Sequence, residues 1–248
     1  MTNNLTKLLL GVAVGAALIA MSARANASPI TGTLQLGGTF TIGQTFLNFC
    51  ATAGPCPGAP GNWNIPANGT GDLAAPYATD PNGGLITNLT SAAEPVGTLL
   101  PGHGVLFLSF AASGALPVSD IEFYLTEVFG GVGTSAPCAA APAVGQVCTP
   151  TGSSTTLVNG AGGNTSATIT MQGLAYRIST NEYSRLQMVF TSQFNTPYQT
   201  VLATLAASGS VTNTFSASFT ATPIPEPVTL TLVGSGLFAI GLLRRKRT

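Results

Sequence analysis

Hydrophobic and polar residues alternate with a period of two through much of the middle of the chain. Ala167, Ile169 and Met171 alternate with Ser166, Thr168 and Thr170, and Leu174, Tyr176 and Ile178 with Ala175, Arg177 and Ser179. Ile121, Phe123 and Leu125 alternate with Glu122, Tyr124 and Thr126; Leu186, Met188 and Phe190 alternate with Gln187, Val189 and Thr191. Successive side chains of a strand point to opposite faces, so each segment predicts a strand with one buried face. Over 211–221, Val211, Phe215, Ala217 and Phe219 share one face, while Thr212, Thr214, Ser216, Ser218 and Thr220 form a solvent-facing row of hydroxyls on the other. The nearly continuous apolar run 105–110, between glycine-rich flanks, predicts a strand covered on both sides or central in a sheet.

One segment has helical periodicity. Tyr198, Val201, Leu202 and Leu205 form a stripe over 197–207, with Thr196 placed as N-cap, Pro197 at the first helical position and Gly209 just past the end. Segments 51–81 and 130–163 are rich in Pro, Gly, Ala, Asn and Ser and read as long loops, and no fixed-period repeat is visible. Several punctuated strands and one short helix predict an all-β domain, an antiparallel β-sandwich of jelly-roll-like form.

The two ends have a different pattern. Residues 1–27 open on a polar stretch with Lys7, continue through the apolar run 8–20 and finish in Ala25-Asn26-Ala27, the form of a signal peptide cleaved between Ala27 and Ser28. As a helix the apolar run would rise about 20 Å, short of a bilayer core. At the other end Pro225-Glu226-Pro227 precedes an uncharged span, 228–243, and then Arg244, Arg245, Lys246 and Arg247. A helix over 228–243 would be about 24 Å long, enough to cross with local thinning. The basic cluster would fix its end in the cytoplasm, leaving the body on the far side of the inner membrane.

Taken together, the Pro-Glu-Pro motif, the short apolar span with Gly234, Ser235, Gly236 and Gly241, and the Arg-rich end resemble the PEP-CTERM sorting signal. The resemblance covers about the last 24 residues. It implies a bacterial protein processed near Pro225, Glu226 and Pro227 by an exosortase, in a cell that also makes extracellular polysaccharide. Tails of this kind also carry the label ice-binding protein C-terminal domain, which describes the tail and not an activity. The expected organisation is a signal peptide (1–27), an exported β-rich domain (28–222) and a sorting signal (223–248), with signal peptidase, exosortase and, transiently, the inner membrane as partners. The destination is the cell surface or the extracellular space.

Composition supports export and narrows the partners. Charged residues make up 6% of the chain, against roughly 25% in ordinary soluble proteins. Over 28–222 there are two basic residues (Arg177, Arg185) and seven acidic ones (Asp72, Asp80, Glu94, Asp120, Glu122, Glu127, Glu182), a balance of minus five. An acidic body does not suit nucleic acid. Cys50 and Cys56, and Cys138 and Cys148, each bracket a flexible loop, so these local pairings are the easiest disulfides to close. Neither spacing is C-x₂-C, and a single histidine is present, so zinc ligation is not expected.

Candidate chemistry is sparse. His103, in Pro101-Gly102-His103-Gly104, would have to serve any histidine-dependent nucleophile system, but no G-x-S-x-G elbow accompanies it and it reads as a turn residue. Asp120 and Glu122 share the polar face of their strand, with Glu127 on the opposite face, and read as its solvated side. Asp80-Pro81-Asn82-Gly83 lacks the spacing of a calcium loop. Trp63 and Tyr77 in loops could stack on sugar rings, and the Thr39/Thr41, Thr168/Thr170 and Thr212/Thr214 pairs could order water, though any exposed strand carries such pairs. The expectation is a noncatalytic surface or matrix protein with no cofactor and no metal. The alternative is a secreted carbohydrate-binding or carbohydrate-active module.

Overall fold

The computed structural model describes residues 29–50, 61–62, 69–74, 85–110 and 120–224, with the backbone alone at 61–62. The predicted signal peptide and its Ala27/Ser28 junction, Cys56, Trp63, Tyr77, the 80–83 turn, the Pro225-Glu226-Pro227 motif, the 228–243 helix and the basic cluster 244–247 lie outside the described residues.

The described chain is mostly antiparallel β with one short helix. Its strands are β1 (Gly32–Gly43), β2 (Phe46–Cys50), β3 (Gly61–Asn62), β4 (Leu85–Ile86), β5 (Leu89–Thr90), β6 (Val105–Ser109), β7 (Ile121–Val128), β8 (Val147–Cys148), β9 (Thr155–Asn159), β10 (Thr165–Arg177), β11 (Glu182–Phe194) and β12 (Ser210–Pro223), with α1 (Tyr198–Ser208) between the last two. They form one sheet in the order β3-β4-β6-β7-β10-β11-β12-β1-β2-β5, with β9 paired to β10 and β8 to β9. The sheet curls until β2, near one edge, faces β6, near the other: the Phe49 and Phe107 rings are 5.9 Å apart.

Period-two patterning sets the inner face. Ile121, Phe123 and Leu125 of β7, Leu186, Met188 and Phe190 of β11, and Phe215, Ala217 and Phe219 of β12 are all buried in one core. Those strands therefore lie as the sequence predicts. In β6, Phe107 and Leu108 are both buried because a bulge shifts the register beside them, while Leu106 stays 41% exposed. That strand is not covered on both sides; it lies inside the sheet, paired with β4 on one edge and β7 on the other.

In β10 the sequence reading loses phase. Leu174, Tyr176 and Ile178 are not a buried face: the strand runs unbroken through Gly173, so the inward residues remain Ala167, Ile169, Met171, Gly173 and Ala175. Ile178, past its end, is 47% exposed. Gly173 must be glycine because a Cβ there would lie 2.0 Å from the Tyr124 carbonyl oxygen and 3.2 Å from the Met188 methyl, which fills the place of a side chain.

The 130–163 segment is not simply a loop, since it carries a 3₁₀ turn (Ala136–Ala139), β8 and β9. Together with α1 it caps one end of the sheet over a second, smaller core of Cys148, Leu157, Ala167, Phe194, Tyr198 and Val201. Helix α1 starts one residue later than expected. Pro197 is the N-cap, its ψ of 149° being extended, and Thr196 caps nothing. Instead Asn159 Oδ1 accepts the Tyr198 N–H at 2.9 Å from the neighbouring strand. Gly209 ends the helix with φ of 76°, where its N–H donates to the Leu205 carbonyl.

The registers define two ends of the curled sheet. At the capped end, Gly43 pairs with Ser210 and Thr165 with Phe194. At the opposite end, Gly32 pairs with Ala221, Ser184 with Pro223 and Ile121 with Arg177.

Candidate functional site

The predicted carboxylates all lie on the outer face of β7 or at its start, each tied to a protein donor. Asp120 accepts the Ser179 N–H at 2.7 Å and also the Ser179 hydroxyl. That hydroxyl, helped by the N–H and the charge of Arg177, outweighs desolvation and holds the Asp120 carboxyl below the usual range. Glu122 accepts the Tyr124 hydroxyl at 2.8 Å. Glu127 accepts Gln172 Nε2 at 2.8 Å, and so does not point away from Glu122 as the alternation suggested. A register shift between Gln172 and Gly173 opposes an extra β7 residue there and returns Glu127 to the outer face.

His103 lies exposed on the 101–104 turn and, among the described residues, joins no nucleophile. Its ring stacks on Tyr183 at 4.6 Å with an interplanar angle of 8°. Tyr183 stacks in turn on Tyr176 at 4.6 Å, and Tyr176 meets the edge of Tyr124 at 6.1 Å. This row crosses the outer face of β7, β10 and β11. Cross-strand register sets it: Glu122, Tyr176 and Tyr183 are neighbours in one row, and Tyr124, Leu174 and Arg185 in the next. The hydrogen bond to Glu122, then burial, pushes the Tyr124 phenol up to about 12. Burial, then the neighbouring Tyr176, raises that of Tyr183.

At the end opposite the cap, Arg177 donates to Asp72 Oδ1 at 2.8 Å. Asp72 Oδ2 accepts the Thr31 N–H at 2.9 Å. Burial pushes the Asp72 carboxyl up, but the Thr31 donors and the Arg177 guanidinium outweigh it and leave it below the usual range. Buried Arg177 Nε and Ser184 Oγ have no partner among the described residues.

Between the two cores, at the capped end, is a cavity of about 410 Å³. Buried Leu47, Leu89, Ile169, Met171 and Phe194 line its inner part, and exposed Gln44, Thr45, Thr90, Ser91 and Thr151 its outer part. Glu94 also lines it and is 8% exposed, its Oε2 accepting the Thr90 N–H at 2.9 Å.

Cys138 and Cys148 form a disulfide with Cα atoms 5.1 Å apart, the expected local pairing. Cys50 is also disulfide-bonded. Among the described residues no three His, Cys, Asp or Glu side chains gather as a metal set. Thr39 and Thr41 of β1 face Thr214 and Thr212 of β12, with the Thr41 and Thr212 hydroxyls 2.8 Å apart, while Thr168 and Thr170 of β10 face Thr191 and Val189 of β11.

Comparison with protein-family models, curated proteins and solved structures finds no significant match. The functional reading therefore rests on the residues.

Sequence reasoning missed the aromatic row because Tyr176 was assigned inward and Tyr183 fell between two segments. It missed Asn159, which stands in β9 within a stretch read as loop. The cavity had no local signal, since its walls come from separate turns, strands and α1.

Proposed function

We propose that the chain is a noncatalytic exported protein of the bacterial cell surface or extracellular matrix. Residues 1–27 direct its export and are removed by signal peptidase; 228–243 holds it transiently in the inner membrane; an exosortase acts near Pro225, Glu226 and Pro227. The body is a β-sandwich of jelly-roll-like form, its curled sheet folded over one core. The observation that carries this reading is the Cys138–Cys148 disulfide in a body otherwise poor in charge. Structural disulfides persist in oxidising compartments, beyond the inner membrane in a bacterium. Strand β12 ends at Pro223, at the end of the sheet away from the cap, and the proposed sorting signal would follow from there.

The test is the intact mass of the protein from membrane and extracellular fractions, with and without reductant. A species beginning at Ser28 and ending near Pro225 to Pro227, gaining mass on reduction, is expected. A membrane-bound species that keeps Arg244, Arg245, Lys246 and Arg247 would make it an ordinary anchored protein.

A second reading, a carbohydrate-binding module, is favoured by the row of His103, Tyr183, Tyr176 and Tyr124. An apolar strip flanked by Glu122 and Arg185 offers both packing and hydrogen-bonding groups to a polysaccharide. Retention on extracellular polysaccharide that disappears in Tyr176→Ala would support it; equal retention would remove the row from the case.

A further inference from the structure

We infer that the cavity at the capped end is a binding site for an uncharged amphiphile with one apolar chain, of the chemical class of a long-chain alcohol or monoacylglycerol. Its volume of about 410 Å³ falls within the roughly 300–1,000 Å³ of small-molecule sites. Protein interiors close-pack and leave few voids larger than a water, yet here the main core and the small core stop short of each other. Filled with water, the space would hold on the order of a dozen molecules at about 30 Å³ each. The deep wall cannot satisfy them: Leu47, Leu89, Ile169, Met171 and Phe194 offer no side-chain hydrogen bond. An apolar chain of matching volume fits that wall.

The distribution of polarity chooses the head group. Exposed lining residues are hydroxyls and an amide, namely Gln44, Thr45, Thr90, Ser91 and Thr151, which can donate to and accept from a neutral hydroxylated head. No Lys, Arg or His is among the described residues lining the cavity, and its one charged group is the Glu94 carboxylate. A fatty-acid carboxylate or a phosphate would therefore enter without a counter-ion and beside a like charge. The two arginines of the body lie on the β10–β11 part of the sheet towards the opposite end, Arg177 facing Glu182 and Arg185 facing Leu174 in register. The site is also separate from the aromatic row, which runs along the outer face, and does not depend on how the tail is processed.

The experiment uses the disulfide-bonded protein isolated from expressing cells in whichever tail form it occurs, freed of detergent, and titrated with the neutral fluorophore N-phenyl-1-naphthylamine. Saturable binding is expected, with 1-monolaurin displacing the fluorophore at a concentration at least tenfold below that of laurate. Ala167→Phe, placed in the cavity wall, should abolish binding. Because a buried substitution can prevent folding, Leu205→Trp on the half-buried side of α1 serves as the second variant, expected to weaken binding at least tenfold with an unchanged thermal melt. Tyr176→Ala should leave binding unaltered. Absence of saturable binding, laurate displacing as well as monolaurin, or full binding by folded Leu205→Trp would each overturn the inference.

Discussion

Around Phe190, rings from β2, β6 and β12 meet at centroid distances of 5.4–6.1 Å, and apolar packing alone accounts for their arrangement. Among the described residues, the cluster of buried side chains that holds Tyr198 has six members, Tyr198 included. There a disulfide joins the 3₁₀ turn to β8, the Tyr198 hydroxyl donates to the Pro137 carbonyl at 3.0 Å, and Asn159 bonds to both the helix start and Gln199. The contrast follows from size. A small cluster buries too little apolar surface to order its own chain, so covalent and polar tethers supply what packing does not. The cavity lies along the seam where these two modes of construction meet.

The comparison predicts a ranking. Phe190→Ala should cost most, about 3–5 kcal/mol, because its ring is 1% exposed and touches four others. Denaturant unfolding would show this as a lower midpoint. A loss under 1 kcal/mol would mean that the main core is not the principal source of stability. Removing the disulfide in Cys138→Ser/Cys148→Ser should cost about 2–3 kcal/mol. Hydrogen exchange should rise over β8, β9 and α1 while β11 and β12 stay protected, and uniform loosening would erase the distinction between the regions.

Asn159→Ala removes the acceptor at the start of α1 and should cost about 1–3 kcal/mol, again with exchange rising first at the cap. At the opposite end Asp72→Asn should cost about 1–2 kcal/mol, the pair being partly solvated. The sign with pH is definite. The folded carboxyl lies below its ordinary 3.8, so its contribution is present at neutral pH and fades as pH falls through the folded value. Wild type and Asp72→Asn should converge in strong acid. Smallest at neutral pH is Tyr124→Phe. In wild type one phenol should ionise near pH 12, later than the ordinary 10, and stability should decline as pH rises through that range; the variant should lack that late step in an ultraviolet titration.

Alternation made β7, β11 and β12 legible, and the Pro197 and Gly209 signals exposed α1. Part of what stayed hidden was hidden by glycine. In β1, Leu34, Leu36, Phe40 and Ile42 keep one parity, but Gly37-Gly38 breaks the apolar pattern and the strand was not read. Gly38 lies opposite Phe215, whose ring comes within 2.9 Å of where a Cβ would be. A partner's ring occupies the inward position, as the Met188 methyl does at Gly173. An inward glycine in these strands marks the tenant of the adjacent strand, and counting Gly173 as an inward position keeps Tyr176 in the outer row. The cavity and the Asn159 bonds depend on contacts between segments far apart in the chain, which no local period encodes.

The pairing of β1 with β12 also sets how the body answers to pulling. The two strands run antiparallel over all 12 residues of β1, so the start of β1 and the end of β12 meet at one end, where Gly32 pairs with Ala221. A load that pulls the start of β1 away from the end of β12 would part the strands rung by rung, as a zipper opens, with each hydrogen-bonded step bearing the force in turn. A load between the tail side and the capped end would instead shear the whole ladder at once. The body is thus soft to peeling and stiff to stretching, a directional response fixed by where its first and last strands lie.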